Sequence, residues 1–148
     1  MFQGESNISI DDKGRMAIPT AWRDTLAAVC GNRLMLTYNP FDPGCLWLFP
    51  QEEWRRARDQ VGALHSFNTA HRQLRRALIG SATELAPDSH HRVLLPASLR
   101  QTAGIGKRAV LIGLGDKFEL WAEEAHQERM ATTIAAEDIT SEMLALRI

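Results

Sequence analysis

Short stretches of alternating apolar and polar residues, each followed by a helical pattern, occur in both halves of the chain. The segments "NISI" (7–10) and "RMAI" (15–18) flank a turn that contains glycine, which predicts two short strands. Pro19 suits the first turn of a helix, and Trp22 and Leu26 then share one face of that helix. Two more apolar segments predict the next strands, "LMLTY" (34–38) and "CLWLF" (45–49).

Amphipathic patterns predict four further helices. They begin near Pro50, Ser66, Glu123 and Asp138. The N-cap of the second is Ser66 or Asn68, since both side chains accept hydrogen bonds from the first turn of a helix. In the last helix Ile139, Met143 and Leu146 form one apolar stripe. This stripe must dock on its own subunit or on a neighbouring one, and the pattern leaves both open.

The second half of the chain repeats the first half in the same order. With Arg15 placed over Arg92, the flanking residues match as well: Asp11 falls on Asp88, Pro19 on Pro96 and Arg23 on Arg100. Two later segments also match, "RLML" (33–36) with "RAVL" (108–111) and "LWLFPQEEW" (46–54) with "FELWAEEAH" (118–126). Three ordered matches predict a duplicated structural unit.

The size of each copy limits how it can fold. About 45 residues of strand-rich sequence are too few to bury an independent hydrophobic core without disulfides or a metal. The two copies should therefore share one core. The sequence predicts an α+β fold, with a pseudo-twofold, β-barrel-like core built from both copies and with the helices at its periphery.

The charge of the chain limits the kind of partner it binds. The formal net charge is −1, so a uniformly basic surface for nucleic acid is excluded. Of the 17 cationic residues, 14 are arginine, the residue that pairs bidentately with phosphate or with a guanine edge. Binding to nucleic acid must then be local, or must result from presenting one small cationic patch many times.

Other classes of protein have less support. The chain has no run of 18 apolar residues to span a membrane, and its N-terminus lacks the features of a signal peptide, which predicts a cytoplasmic protein. Cys30 and Cys45 match no zinc spacing and the histidines form no metal-binding motif, so no metal or cofactor is expected. An enzymatic site at "DSHHR" (88–92) with Glu84 has no nucleophile–base pair and no ligand spacing, so no enzyme is expected.

The loop "IDDKGRM" (10–16) carries the candidate chemistry. Asp11 and Gly14 are turn residues, the first through bonds to nearby amides and the second through its tolerance of positive φ. In one interpretation Asp11 shapes the turn and Arg15 only pairs back to it or to a neighbouring residue. In the other, the tip projects Lys13 and Arg15 outward while Asp11 orients Arg15. A guanidinium has five donors, enough for one carboxylate and one phosphate, so the two interpretations are compatible.

The motifs "MFQG" (1–4), "DDKGRMAIP" (11–19), "ALIGSATEL" (77–85) and "KFELW" (117–121) occur together and in order. With them the chain resembles the MraZ family of bacterial proteins over nearly its whole length. The resemblance implies two SpoVT-AbrB modules of the swapped-hairpin type. It places these modules at residues 5–52 and 81–124, connecting helices at 53–80 and C-terminal helices at 125–148.

The resemblance also implies a function. MraZ family members are sequence-specific DNA-binding transcriptional regulators of the division and cell-wall gene cluster. They bind direct repeats in its promoter as ring-shaped homo-oligomers and associate with the nucleoid. Their D-x-x-x-R signature faces DNA, and here it corresponds to Asp11–Arg15 and Asp88–Arg92. Lys13 and Arg15 are therefore the first candidates for contact with double-stranded DNA, and Arg92 is the next.

The second signature departs from the family pattern. The family usually has D-G-x-G-R, whereas Ser89 and His91 occupy the glycine positions of this chain. We therefore expect the second turn to be different or strained. Its role in DNA binding stays open, since Arg92 is either structural or assisted by His90 and His91 when they are protonated.

An alternative function is an AbrB-like module that mainly assembles or binds a protein partner, with DNA binding secondary. The sequence leaves open the subunit number, the operator sequence and the direction of regulation. It also leaves open whether Arg15 contacts a base or a phosphate.

Overall fold

The computed structural model describes all 148 residues, and along the chain pairs of strands are each followed by one or two helices. The first half contains β1 (Phe2–Ser9), β2 (Arg15–Ala17), α1 (Thr20–Cys30), β3 (Leu34–Tyr38), β4 (Cys45–Pro50), α2 (Gln51–Gly62) and α3 (Thr69–Leu78). The second half contains β5 (Thr83–Leu85), β6 (Arg92–Leu94), α4 (Ala97–Ala103), β7 (Arg108–Gly115), β8 (Phe118–Ala122) and α5 (Glu123–Met130). A 3-10 turn (Ala136–Asp138) and a one-turn helix α6 (Ser141–Leu144) follow. The structure is therefore of the mixed α+β class.

The helices that follow the two loops begin and end in the same way. Pro19 precedes α1 and Pro96 precedes α4, each in an extended conformation that directs the chain into the helix. Gly31 and Gly104 end these helices at φ 57° and φ 68°, where a left-handed residue satisfies the last carbonyls. The helix start that the sequence predicts at Pro19 is confirmed, and Pro96 starts the corresponding helix of the second copy.

The two copies exchange their first strands. All pairs of the six-stranded sheet are antiparallel, and the strand order is β1-β7-β8-β4-β3-β5. Thus β1 of the first copy pairs with β7 of the second, while β5 of the second copy pairs with β3 of the first. Since β5 and β7 are the counterparts of β1 and β3, the exchange is reciprocal and the arrangement is pseudo-twofold.

One hydrophobic core results from this exchange. A single cluster of 22 buried residues draws side chains from both copies, among them Leu36 and Leu46 from the first and Leu111 and Leu120 from the second. The prediction that neither copy has a core of its own is confirmed. A smaller cluster of Phe49, Trp54 and Leu78 attaches α2 and α3 to the sheet.

The barrel-like part of the prediction is not confirmed. The six-stranded sheet is open, with β1 and β5 at its edges. The short strands β2 and β6 pair with each other as a separate ribbon, and an isolated bridge between Ile10 and Met16 links the ribbon to the end of β1. Because β2 and β6 bond mainly to each other, they do not connect the two sheet edges.

Two element boundaries differ from the sequence prediction. Strand β1 begins at Phe2 and not at residue 7, because its pairing with β7 extends to Gly115. The N-cap of α3 is Asn68, whose side chain accepts a hydrogen bond from the His71 amide at 3.0 Å. This hydrogen bond identifies Asn68 as the cap, of the two residues, Ser66 and Asn68, that the sequence allowed.

The prediction of a continuous C-terminal helix from about Asp138 is wrong. The Thr140 side chain accepts a hydrogen bond from the Met143 amide and starts a new one-turn helix, α6. Ile139 before it is extended, which separates α6 from the 3-10 turn. Every residue from 127 to 148 is exposed, so the predicted apolar stripe is not docked on its own subunit.

Both cysteine thiols are free. Burial is the main cause that raises the pKa of the Cys45 thiol above the ordinary value of 9.0. A thiol in this environment stays protonated and is a poor nucleophile. None of the helices combines the length and the apolar character needed to cross a membrane.

Candidate nucleic-acid interface

The two signature loops lie side by side because their strands pair with each other. In the β2–β6 ribbon Arg15 is opposite Leu94, Met16 is opposite Val93 and Ala17 is opposite Arg92. Met16 and Val93 at the centre are each 1% exposed. Since side chains alternate along a strand, the neighbouring positions share the outward face. That face carries Arg15, Ala17, Arg92 and Leu94.

Each loop also offers a carbonyl to the other copy. The Leu95 amide donates to the Gly14 carbonyl at 2.9 Å, and the Ile18 amide donates to the His91 carbonyl at 2.8 Å. These two bonds are equivalent under the alignment of the copies. They hold the loop tips in a fixed mutual position, so the loops form one surface.

In the first loop, Asp11 clamps the turn. Its Oδ1 accepts hydrogen bonds from the Lys13 amide at 3.0 Å and from the Arg15 amide at 2.9 Å. Its Oδ2 accepts from Arg15 Nε at 2.8 Å. One carboxylate therefore sets both the backbone of the turn and the direction of the guanidinium.

In the second loop, Asp88 makes the same set of bonds. Its Oδ1 accepts from the His90 amide at 2.8 Å and from the Arg92 amide at 3.0 Å. Its Oδ2 accepts from Arg92 Nε at 3.0 Å. The two loops are thus copies of one clamp that differ in the residues at their tips.

The clamps favour the ionised form of both aspartates. The pKa of Asp11 lies below its ordinary value of 3.8, with the hydrogen bond from the Arg15 amide as the largest cause. The pKa of Asp88 is also lowered, and the hydrogen bond from the Arg92 amide is again the largest cause. The folded-state pKa is depressed, so the clamp contributes to stability above pH 3.8 and loses that contribution as the pH falls through the lowered value.

Both signature arginines retain donors for a ligand. The side chains of Arg15 and Arg92 are 29% and 33% exposed. Each donates to its aspartate through Nε only, and neither pair of Nη atoms has a hydrogen-bond partner in the chain. The geometry shows the ion pair of Arg15 with Asp11 and leaves the guanidinium partly exposed, so it is compatible with both interpretations of Arg15.

The loop tips differ in chemistry while the backbone is the same. Lys13 and His90 occupy equivalent exposed positions. Gly14 has φ 84°, and His91 at the equivalent position has φ 57°. The expectation of a strained second turn is confirmed at His91, since a side chain in the left-handed region is disfavoured. The expectation of a different turn is not confirmed, since the backbone bonds and the aspartate bonds of the two loops correspond one to one.

Two arginines beside the loops were not among the residues predicted from the sequence. Arg23 Nε donates to the Ile18 carbonyl at 2.8 Å, and Arg100 Nε donates to the Leu95 carbonyl at 3.4 Å. A β-carbon placed on Gly14 would lie 2.8 Å from an Nη atom of Arg100, so this guanidinium covers the loop of the other copy. Both arginines keep their Nη atoms without a partner in the chain. The alignment of the two copies placed Arg23 over Arg100, and this repeated arginine was the feature of the sequence by which both could have been found.

The other arginine-rich segments differ from each other. On α2, Arg55, Arg56 and Arg58 each pair with an acid of the same helix at 2.6–3.1 Å. On α3, none of the arginines forms an ion pair, although Arg72 donates to the Ser66 carbonyl and to Thr69 Oγ1. Local ion pairing therefore accounts for the arginines of α2 and does not account for those of α3.

The fold and this surface define a class of protein: a duplicated, strand-exchanged α+β protein that presents two carboxylate-clamped arginine loops together. A family model described as "MraZ protein, putative antitoxin-like" matches residues 1–77 and 78–146. The two matched segments agree with the duplication. The chain belongs to the MraZ family.

Named relatives are similar over their full lengths. The transcriptional regulator MraZ of Xanthomonas campestris pv. campestris is 51% identical over 148 residues, which are 100% of both chains. The proteins of the same name from Stenotrophomonas maltophilia and Xylella fastidiosa are 50% and 46% identical, again over 100% of both chains. The family resemblance noted in the sequence is confirmed.

Proposed function

We propose that this protein is a transcriptional regulator without catalytic activity that binds double-stranded DNA through its paired signature loops. Arg15 and Lys13 make the main contacts, and Arg92 contributes from the second loop. Asp11, Asp88 and Gly14 support these contacts by shaping the turns. The protein acts in the cytoplasm at the nucleoid and binds direct repeats in the promoter of the division and cell-wall gene cluster.

One observation carries the proposal. In both loops the carboxylate takes only the Nε donor of its arginine, which leaves both Nη atoms without a partner in the chain. A guanidinium that is already oriented by an acid loses less side-chain freedom when it binds a phosphate or a guanine edge. Since the two loops are also cross-bonded, both donors reach a ligand in a fixed relation.

The surroundings of the loops support the same role. Arg23 and Arg100 add two guanidinium groups, each anchored through Nε to a carbonyl at the start of its helix. Together with Lys13 they provide a local cationic surface on a chain whose net charge is −1. Leu94 on the same face is 59% exposed, and an apolar contact of this kind suits the methyl group of thymine.

Affinity from such a small surface requires repetition. We propose that the protein forms a ring of identical subunits, each of which presents one pair of loops. Each further loop pair that engages the same DNA does so intramolecularly, which multiplies affinity by about 10²–10⁴ without new contacts. Like-oriented loops in a cyclic array match direct repeats, whereas a twofold dimer matches a palindrome.

The test is a binding titration with DNA taken from upstream of the gene that encodes the protein. We expect Arg15→Ala to preserve fold and assembly and to weaken binding at least tenfold. The slope of log affinity against log salt concentration should fall by about 0.9 for each phosphate that the variant no longer neutralises. Arg92→Ala should have a smaller effect in the same assay.

Arg58→Ala is the matched control. It removes one exposed arginine that Asp59 already holds on α2, so DNA affinity should stay at the wild-type value. Unchanged affinity in Arg15→Ala, or an equal reduction in both variants, would refute the assignment of the loops.

A further inference from the structure

The cationic face of α3 has no acidic partner. The helix contains Arg72, Arg75 and Arg76 and no aspartate or glutamate, and none of the three forms an ion pair. Three neighbouring cations on one helix repel each other unless an anion lies nearby. The contrast with α2, where each arginine has its own acid, indicates that the partner of α3 comes from outside the subunit.

A cleft of about 550 Å³ lies along this helix. Its lining consists of Tyr38, Thr69, Arg72, Gln73, Arg76 and Ala77. The phenol of Tyr38 is held by a hydrogen bond to Thr102 Oγ1 at 3.1 Å, so one wall is rigid. The cleft combines two arginines with an aromatic ring and aliphatic stems, which suits a segment that is both acidic and apolar.

The C-terminal segment (residues 131–148) has this character. It carries Glu137, Asp138 and Glu142 against one cation, Arg147. Its large apolar side chains are all exposed: Ile134, Ile139, Met143, Leu144, Leu146 and Ile148. This density of exposed apolar groups is typical of an interaction surface.

The segment makes no hydrogen bond to the rest of the fold beyond α5. The bonds of the 3-10 turn and of α6 are all between residues at most four apart. A single helical turn has little stability by itself in water. A well-defined turn with a capping residue and exposed apolar side chains therefore indicates a segment shaped for an external surface.

We propose that the C-terminal segment of one copy docks in the α3 cleft of a second copy. Asp138 and Glu142 pair with Arg72 and Arg76, and Met143 and Leu146 pack against Tyr38 and the arginine stems. This inference deepens the ring assembly of the proposed function, since it names the surfaces that join the subunits.

A contact of this kind explains why the subunits would assemble into a closed ring or an open filament. Each copy has one segment and one cleft, and these are different surfaces of the same chain. Contacts between different surfaces are heterologous, so they produce rings or filaments and not closed twofold dimers. Charge complementarity selects the second copy as the occupant, since Asp138 and Glu142 of the segment are opposite in charge to Arg72 and Arg76, which have no acidic partner of their own.

The test uses charge reversal on each side of the contact, with molar mass measured by light scattering in the absence of DNA. Arg72→Glu with Arg76→Glu should lower the association constant at least tenfold, and so should Asp138→Lys with Glu142→Lys. A mixture of the two variants restores opposite charges where one variant meets the other, so it should assemble again. Recovery in the mixture identifies the contact as intermolecular and charge-dependent.

Arg55→Glu with Arg58→Glu on α2 is the matched control, because it makes the same change in charge on a neighbouring helix; its mass should equal that of the wild type. Full assembly of both single-side variants overturns the proposal, and so does failure of the mixture to recover. If α3 reversal weakens DNA binding and leaves the mass unchanged, the arginines serve DNA and the proposal is also overturned.

The experiment separates this inference from the proposed function. Arg15→Ala should assemble normally in the same measurement, whether or not it binds DNA. The DNA affinity of Arg15→Ala therefore tests the role of the loops. The molar mass of the charge-reversed variants in the absence of DNA tests the C-terminal contact.

Discussion

The two signature loops reach the same geometry from different sequences. In the first, "DDKGR" places glycine at φ 84°, and in the second, "DSHHR" places His91 at φ 57°. The aspartate bonds of the two loops span the same range, 2.8–3.0 Å in each. The backbone conformation is therefore imposed by the clamp and the cross-copy bonds and does not depend on glycine.

Glycine has a specific role in the first loop. At Gly14 the guanidinium of Arg100 lies where a side chain would start. In the second loop, the equivalent position accommodates the imidazole of His91, which is exposed. Glycine permits close packing of the Arg100 guanidinium over the first loop, whereas the second loop carries two histidines at its tip. The two loops therefore share a backbone and differ in the side chains that they present.

The largest expected effect comes from exchanging the residues at these equivalent positions. Gly14→Ala should lower the free energy of unfolding by about 1–2 kcal/mol because φ is positive there, with a further decrease because Arg100 must move. His91→Gly should change it by less than about 1 kcal/mol, since relief of strain is opposed by the greater freedom of glycine in the unfolded chain. Chemical denaturation of the two variants measures both values.

Gly31→Ala separates the two causes. Gly31 also has positive φ, 57°, and no atom lies within 4 Å of an added β-carbon. The difference between Gly14→Ala and Gly31→Ala thus reports the contact with Arg100. Equal decreases in the two variants would show that Arg100 does not pack on the first loop.

A smaller effect is expected at the tip of the second loop. His90 occupies the exposed position equivalent to Lys13, so His90→Lys gives the second loop the same cation as the first. One exposed charge contact corresponds to a change of roughly two- to fivefold in DNA affinity per engaged loop pair. Binding titrations should show this rise in His90→Lys. Unchanged affinity in that variant would exclude the tip of the second loop from the contact with DNA.

The smallest expected effect concerns the clamps themselves. NMR titration should find the carboxyl pKa of both Asp11 and Asp88 below 3.8. Because the largest cause is the backbone amide of the arginine, Arg15→Gln should retain a lowered pKa at Asp11. A return of Asp11 to the ordinary value in this variant would instead assign the effect to the guanidinium. Asp88, unchanged in sequence, serves as the internal reference.

The loop chemistry could be predicted from the sequence because its bonds are local. The aspartate and the arginine are four residues apart, and the amides that Asp11 binds lie two and four residues further on. The same holds for the helix starts at Pro19 and Pro96 and for the glycine ends. Duplication was visible as well, since a repeated order of motifs does not require coordinates.

Interactions between distant residues could not be predicted in this way. The alignment paired Arg23 with Arg100, but it contained no information on what covers Gly14. The helical stripe of Ile139, Met143 and Leu146 suggested a continuous helix, whereas the Thr140 cap divides the segment. The ion pairs of the α2 arginines, and the lack of such pairs on α3, emerged only from side-chain positions.

By itself, the sequence determined the duplication, the two turns with their clamped arginines, and the need for one shared core. These follow from residue types within a few positions of each other and from the small size of each copy. The tertiary structure alone decided that the copies exchange strands, that their loops lie side by side, and that the C-terminal segment is exposed. Such features depend on which distant surfaces bury each other, and local propensity does not encode that choice.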